Sequence, residues 1–135
     1  VELLAEIETT RYENLSSLNI ELTKRICDYL SITTPLIDSS DLSLEGTKTD
    51  RLIDLLKKLN ATSYLSGPSA DVYLDKEAFR RNGIRLEYKS YDYEPYPQLW
   101  GPFEGTVMVL DLIANCGPDA KNHIRSRTPD KVIIE

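Results

Sequence analysis

Serines, an aspartate, a tyrosine and a glutamine recur at the breaks between apolar runs of this chain. Their shared chemistry is hydrogen bonding to a polar ligand. Ser39-Ser40-Asp41 follows Leu36-Ile37, and Ser66-Gly67-Pro68-Ser69 follows Tyr64-Leu65. Tyr93, Tyr96 and Gln98 stand in a proline-rich stretch after Tyr91. Hydroxyls and amides both donate and accept, and Gly67 would let a ligand approach the backbone. In this reading Ser66, Gly67 and Ser69 line a ligand, Asp41 orients one of its hydroxyls, and Tyr96 and Gln98 cover it. The plain alternative is that loops are polar and need turn formers in any protein.

A second set is Gly46-Thr47-Lys48-Thr49. It lacks the upstream glycine and the Gly-Lys-Ser/Thr order of a nucleotide phosphate loop. It does precede a helix, whose free amides and positive dipole end suit an anion. Thr47, Lys48 and Thr49 are therefore anion-binding candidates, set against a simple capped helix start. His123 is the only histidine, in a polar segment with Asn122, Arg125 and Arg127. One imidazole makes a zinc site implausible, and no metal is expected. A triad would need a long-range contact to His123, for which a surface position is the default. Cys116 ends a helix, where the negative dipole end disfavours a thiolate, and Cys27 sits beside apolar helical positions. Neither reads as a nucleophile, and no cofactor is indicated.

Tyr91, Tyr93, Tyr96, Trp100 and Phe103 crowd into one stretch with Pro95, Pro97 and Pro102. Stacking on a sugar or base is one reading, favoured for Tyr96 together with Gln98. Packing over a sheet edge is the other, favoured for Trp100 and Phe103.

The elements that must position these residues follow from periodicity. Leu15, Leu18, Leu22, Ile26 and Leu30 form a helical stripe over Asn14–Ser31, with Asn14 as a cap. Leu36–Ser39 reads as a short strand after Pro35. A helix follows Gly46 and runs to about Asn60, which can close it in the left-handed conformation. Thr62–Ser66 is a strand broken by Gly67-Pro68. Asp75 caps a short helix closed at Asn82-Gly83. Ile84–Tyr91 alternates apolar and polar residues as a half-buried strand does. Tyr93–Pro102 cannot be regular, Thr106–Asn115 is a helix stopped by Gly117-Pro118, and Asp119–Arg127 forms a last helical turn. Val132–Ile134 is a terminal strand or a tail that folds onto a neighbour. Alternation of this kind predicts an α/β fold, a mainly parallel sheet flanked by helices. Ligands in such folds sit outside the carboxyl ends of the strands, where the three polar loops fall.

The bulk properties exclude several classes. A chain of 135 residues with 28% charged and 41% hydrophobic residues is an ordinary globular domain. A net charge of -6 argues against a nucleic-acid partner or an anionic membrane surface. No apolar run reaches the roughly 20 residues that span a bilayer. Two distant cysteines do not make a disulfide framework, which points to the cytoplasm. The chain opens at Val1, with Val1–Ile7 already helical in character, so a piece of a larger protein is expected. On that view residues 1–13 are a leading helical segment, 14–120 the core and 121–135 a tail. A homo-oligomer stays open.

Glu45-Gly46-x-Lys48-Thr49-x-Arg51-Leu52, Tyr64-Leu65-Ser66-Gly67-Pro68, Tyr73-Leu74-Asp75, Phe79 and Gly83-Ile84 occur in order. Tyr96-Pro97-Gln98, Phe103, Leu110-Asp111-Leu112 and Asn115-Cys116-Gly117-Pro118 follow. This set, over Leu15–Ala120, resembles the C-terminal half of the WbqC-like protein family. The resemblance implies a longer bacterial or archaeal protein with an N-terminal His-Gln-Pro segment. It further implies a role in surface polysaccharide (O-antigen type) biosynthesis, such as transfer of an acyl or similar group to a nucleotide-activated amino sugar. A non-catalytic ligand-binding or assembly module of the same pathway is the alternative. One departure is Trp100, which stands where many relatives are expected to have histidine.

Overall fold

Helix ends leave main-chain groups unpaired, and three helices of this chain solve that in the same way. The structure is a computed structural model that describes Ala5 and residues 10–135; the helix expected over Val1–Ile7 lies otherwise outside the described residues. Helix α1 (Leu15–Tyr29) ends with Ser31 in the left-handed region. Helix α2 (Lys48–Lys58) ends with Asn60 there, and helix α3 (Lys76–Arg81) with Gly83. In each, the next amide reaches back to the last turn: Ile32 N to Cys27 O, Ala61 N to Leu56 O, and Ile84 N to Phe79 O. That is the Schellman closure, and its apolar final residue drops into the core. The left-handed Ser31 was not expected from sequence; Asn60 and Gly83 were.

The chain forms two compact units. One comprises residues 37–92 and 126–135 and holds the sheet. Strand β1 (Ser63–Ser66) runs parallel to β2 (Arg85–Tyr88), and β3 (Lys131–Ile134) pairs antiparallel on the other side of β2. The register pairs Tyr64 with Leu86 and Ser66 with Tyr88, and a bulge interrupts the β2–β3 ladder between Leu86 and Glu87. Between β1 and β2 the chain passes through a 3-10 turn (Pro68–Val72) and α3. Asp75 caps α3 as expected, its carboxylate accepting from the Glu77 and Ala78 amides. The strict alternation of β2 buries Leu86 and Tyr88, and Ile84 just before it is buried too. They pack with Ile53, Leu56, Phe79 and Ile134.

The other unit comprises residues 1–36 and 93–125. It packs α1 residues Ile26 and Leu30 with α4 (Val109–Cys116), Tyr96 and a 3-10 turn (Gly117–Asn122). The α1 stripe is buried only toward its C-terminal end: Leu15 is 70% exposed and Leu30 is 5%.

Three expectations need correction. The sheet is not mainly parallel, because the terminal strand joins β2 antiparallel. Leu36–Ser39 forms no strand. Asp38 instead accepts from the Ser40 amide and hydroxyl and opens a 3-10 turn (Ser39–Asp41). That local bond competes with a strand ladder, and Leu36 and Ile37 stay exposed. Helix α4 starts later than Thr106, since the Thr106 amide and hydroxyl are held by Glu104.

Phe79 is fully buried. Phe79→Ala should cost about 3–5 kcal/mol in equilibrium denaturation of the whole chain. A loss under about 1 kcal/mol would show that the sheet unit does not depend on this ring.

Candidate functional site

The residues singled out by sequence divide between the two units. Asp41, Ser66, Gly67 and Ser69 belong to the sheet unit, and Tyr96 and Gln98 to the other.

Ser66 ends β1 beside Tyr88 at the carboxyl end of the parallel pair. Gly67 has an ordinary extended backbone (φ -75, ψ 152), so its conformation does not require glycine. Nor does space: a Cβ there would stand 3.5 Å from the Tyr91 hydroxyl, an ordinary contact. Ser69 is exposed in the 3-10 turn that follows. Asp41 lies in its own exposed turn after Asp38. Beside the Ser66–Ser69 loop is a cavity of about 430 Å³ lined by Pro68, Asp71, Tyr88, Lys89, Ser90 and Lys131, among others. Ser66 and Ser69 do not line it.

Several charges of that cavity are already paired. Lys89 bridges Asp130 at 2.9 Å, and Asp130 also accepts from the Ser90 amide at 2.7 Å. The amide and the lysine hold the Asp130 carboxyl below its usual range. Asp71 pairs with Lys76 at 2.6 Å, which lowers it likewise. Lys131 makes no salt bridge among the described residues. The Tyr88 hydroxyl is buried and accepts or donates no hydrogen bond of ordinary length. Burial first, and the nearby Asp71 carboxylate second, push its pKa up.

The Thr47–Thr49 candidates sit at the start of α2. Thr47 occupies the cap position without a side-chain cap bond, and Lys48 has a φ of 49. Thr49 is buried, and its Oγ1 accepts from the Asp75 amide at 3.1 Å. That hydroxyl ties the start of α2 to the start of α3. Lys48, Thr49, Leu52, Tyr64, Tyr73 and Leu74 line a mostly apolar cavity of about 520 Å³.

In the helical unit Tyr96 and Gln98 converge on Asp111. The Tyr96 hydroxyl donates to Asp111 Oδ2 at 2.7 Å, and Gln98 Nε2 donates to the same oxygen at 2.8 Å. Gln98 also brackets Glu104, donating to its main-chain oxygen and accepting from its amide. The amide therefore staples the proline-rich loop to α4. Tyr96 is only 9% exposed, with Phe103 edge-on at 5.1 Å and the His123 ring at 6.0 Å. Its ring is core, and its hydroxyl is committed to Asp111. Burial, then the Asp111 hydrogen bond, raise Tyr96 to about 12. The same bond, with that of Gln98, holds Asp111 below the usual carboxylate range.

Trp100 is 86% exposed, contrary to the packing role expected of it, whereas Phe103 does pack on Tyr96. His123 is half-buried rather than fully exposed: its side chain is 20% exposed, against Tyr96, with Nε2 3.2 Å from Asp119. Burial raises the Cys116 thiol, in line with an inert cysteine. Among the described residues no cluster of three or more His, Cys, Asp or Glu could hold a metal ion. No helix among them is long and apolar enough to cross a membrane.

Sequence reasoning passed over Tyr88, Lys131 and Asp111 as site residues. For Asp111 a signal was present: one carboxylate inside the apolar run Val109-Leu110-Asp111-Leu112-Ile113. A charge there must find partners.

The raised Tyr96 pKa has a consequence for stability. The folded chain prefers neutral Tyr96, so its contribution is complete below pH 10.0 and disappears as pH rises through about 12. Denaturation midpoints should fall more steeply across this interval in the native chain than in Tyr96→Phe. Parallel slopes would refute the coupling.

The sequence model of the WbqC-like protein family matches residues 1–123. A protein of Mycobacterium tuberculosis, described as uncharacterized protein Rv1507c, is 45% identical over 116 residues. That match covers 85% of this chain and 50% of the relative, so the chain spans about half the length of that curated protein. No solved structure matches the chain. The family match runs past the Leu15–Ala120 stretch expected from motifs and is not confined to a C-terminal portion of the chain. With most of its length matched, the chain belongs to the WbqC-like protein family.

Proposed function

We propose that this chain is part of an enzyme of surface-polysaccharide assembly that binds a nucleotide-activated sugar and transfers a group to it. The observation that carries this reading is the cavity of about 430 Å³ at the carboxyl end of the β1–β2 pair. Ligands of parallel α/β units bind there. Lys131 supplies a cation that makes no salt bridge among the described residues, Ser90 a hydroxyl shared with Thr128, and Tyr88 a buried hydroxyl beside Asp71. A phosphate group matches that set, because it accepts hydrogen bonds and carries charge. Ser66, Gly67 and Ser69 belong to the loop beside this cavity, within reach of a ligand that extends past Pro68, and Asp41 is a further acceptor for the sugar. Tyr96 and Gln98 contribute by holding their loop rather than by stacking. The Thr47–Thr49 helix start is the lesser anion candidate, since the Thr49 hydroxyl already accepts from Asp75. Working in the cytoplasm, where activated sugars are made, fits this role.

The alternative is a non-catalytic module that holds the same ligand or a partner enzyme. The paired state of Asp71, Asp130 and Lys89 favours it, as no group in the cavity is poised as a base or nucleophile.

Calorimetric titration of the full-length protein with a panel of nucleotide sugars tests both. At least one should bind, and Lys131→Gln should weaken it about tenfold or more with an unchanged melting temperature. Turnover of the bound sugar separates the enzyme from the module. A folded protein that binds none of the panel rules the proposal out.

A further inference from the structure

The helical unit has a cavity of its own, of about 380 Å³, that the reading above does not use. Gln98, Trp100, Glu104, Asp111 and Asn115 line it together with the apolar Leu99, Val107 and Ala114, and no lysine, arginine or histidine does. Its polar side chains are mostly committed on one side only. Asp111 receives the Tyr96 and Gln98 donors on Oδ2, and the Asn115 side chain also bonds to its carboxylate. Glu104 receives Thr106 on Oε1 alone. Asn115 spends Nδ2 on the Asp111 main-chain oxygen, and its Oδ1 accepts nothing among the described residues. Among the described residues the cavity therefore offers free acceptor oxygens on Glu104 and Asn115 beside the Asp111 carboxylate, and no cation lines it to balance the two carboxylates. A ligand suited to it donates hydrogen bonds and carries positive charge.

Trp100 adds a second, independent constraint. Its ring is 86% exposed although Phe103, on the same loop, turns inward against Tyr96. An indole left in water at the edge of a cavity that holds two carboxylates provides a flat apolar surface, which suits the C–H face of a sugar ring and also attracts a cation. Acceptors alone would fit any amine, and an indole alone any ring.

We propose that this cavity binds an aminated sugar ring. The ammonium lies against the Asp111 and Glu104 carboxylates, a ring hydroxyl donates to Asn115 Oδ1, and the C–H face rests on Trp100. A neutral sugar leaves the carboxylates unmatched, and a sugar acid or a phosphate is repelled. The site thus recognises the sugar without its phosphates, and it stands whether or not the sheet unit binds nucleotide.

Trp100 is the only tryptophan of the chain, so its fluorescence reports directly on this site. Titrating the full chain with glucosamine should give a saturable change. Glucose should bind at least about tenfold more weakly, and glucuronate should give no response. Glu104→Gln should weaken glucosamine binding while leaving glucose unchanged. Trp100→Ala, followed by calorimetry, should lose both; each of these side chains is exposed, so circular dichroism should stay native. No saturable response to glucosamine, or equal affinity for glucose, overturns the proposal. So does equal affinity for cyclohexylamine, which would make the cavity an amine site without sugar recognition. None of these probes carries a phosphate, so failure here is distinct from failure of nucleotide-sugar binding.

Discussion

The hydrogen bond from the Tyr96 hydroxyl to Asp111 Oδ2 is the constraint on which the helical unit rests. Tyr96 buries a large ring among Leu30, Leu112, Ile113 and Ala120, and its hydroxyl goes in with it. A buried hydroxyl without a partner costs on the order of 1–3 kcal/mol, so the core needs an acceptor at that point. Asp111 supplies it from the middle of an apolar helix. The carboxylate then recruits Gln98, and Gln98 fixes Glu104. In this way one polar pair orders a loop that three prolines keep out of regular structure.

In the sheet unit the organising element is β2. Both other strands pair to it, and its alternation directs Leu86 and Tyr88 into the core. The bulge beside Leu86 lets the terminal strand join from the opposite direction. Short strands of this kind gain little from propensity, and their stability comes from Phe79, Ile53 and Leu56 packing against them. The cost falls on Tyr88, whose position follows from the alternation while its hydroxyl makes no hydrogen bond of ordinary length among the described residues.

Local sequence by itself determined where the helices fall and several of their caps and ends. Asn14, Asp75, Asn60 and Gly83 act through bonds to residues within a few positions, and such bonds form wherever those residues occur. The alternation of Ile84–Tyr88 and the irregular proline loop were legible for the same reason, and the quoted motifs were enough to indicate the family. Tertiary structure alone decided the rest. Leu36–Ile37 lacked a strand partner and lost to the Asp38 turn, while Lys131–Ile134 found one in β2 and set the sheet as mixed. The candidate site shows the same division. Ser66, Gly67 and Ser69 were found because a Gly-Pro break marks a strand end, yet the cavity beside them is lined by Tyr88 and Lys131, which no spacing connects. Tyr96 and Gln98 were visible as polar groups in a loop, but only packing shows that they hold Asp111 rather than face a ligand. Which atoms of a side chain remain free depends on partners distant in sequence, and that choice is made when the chain folds.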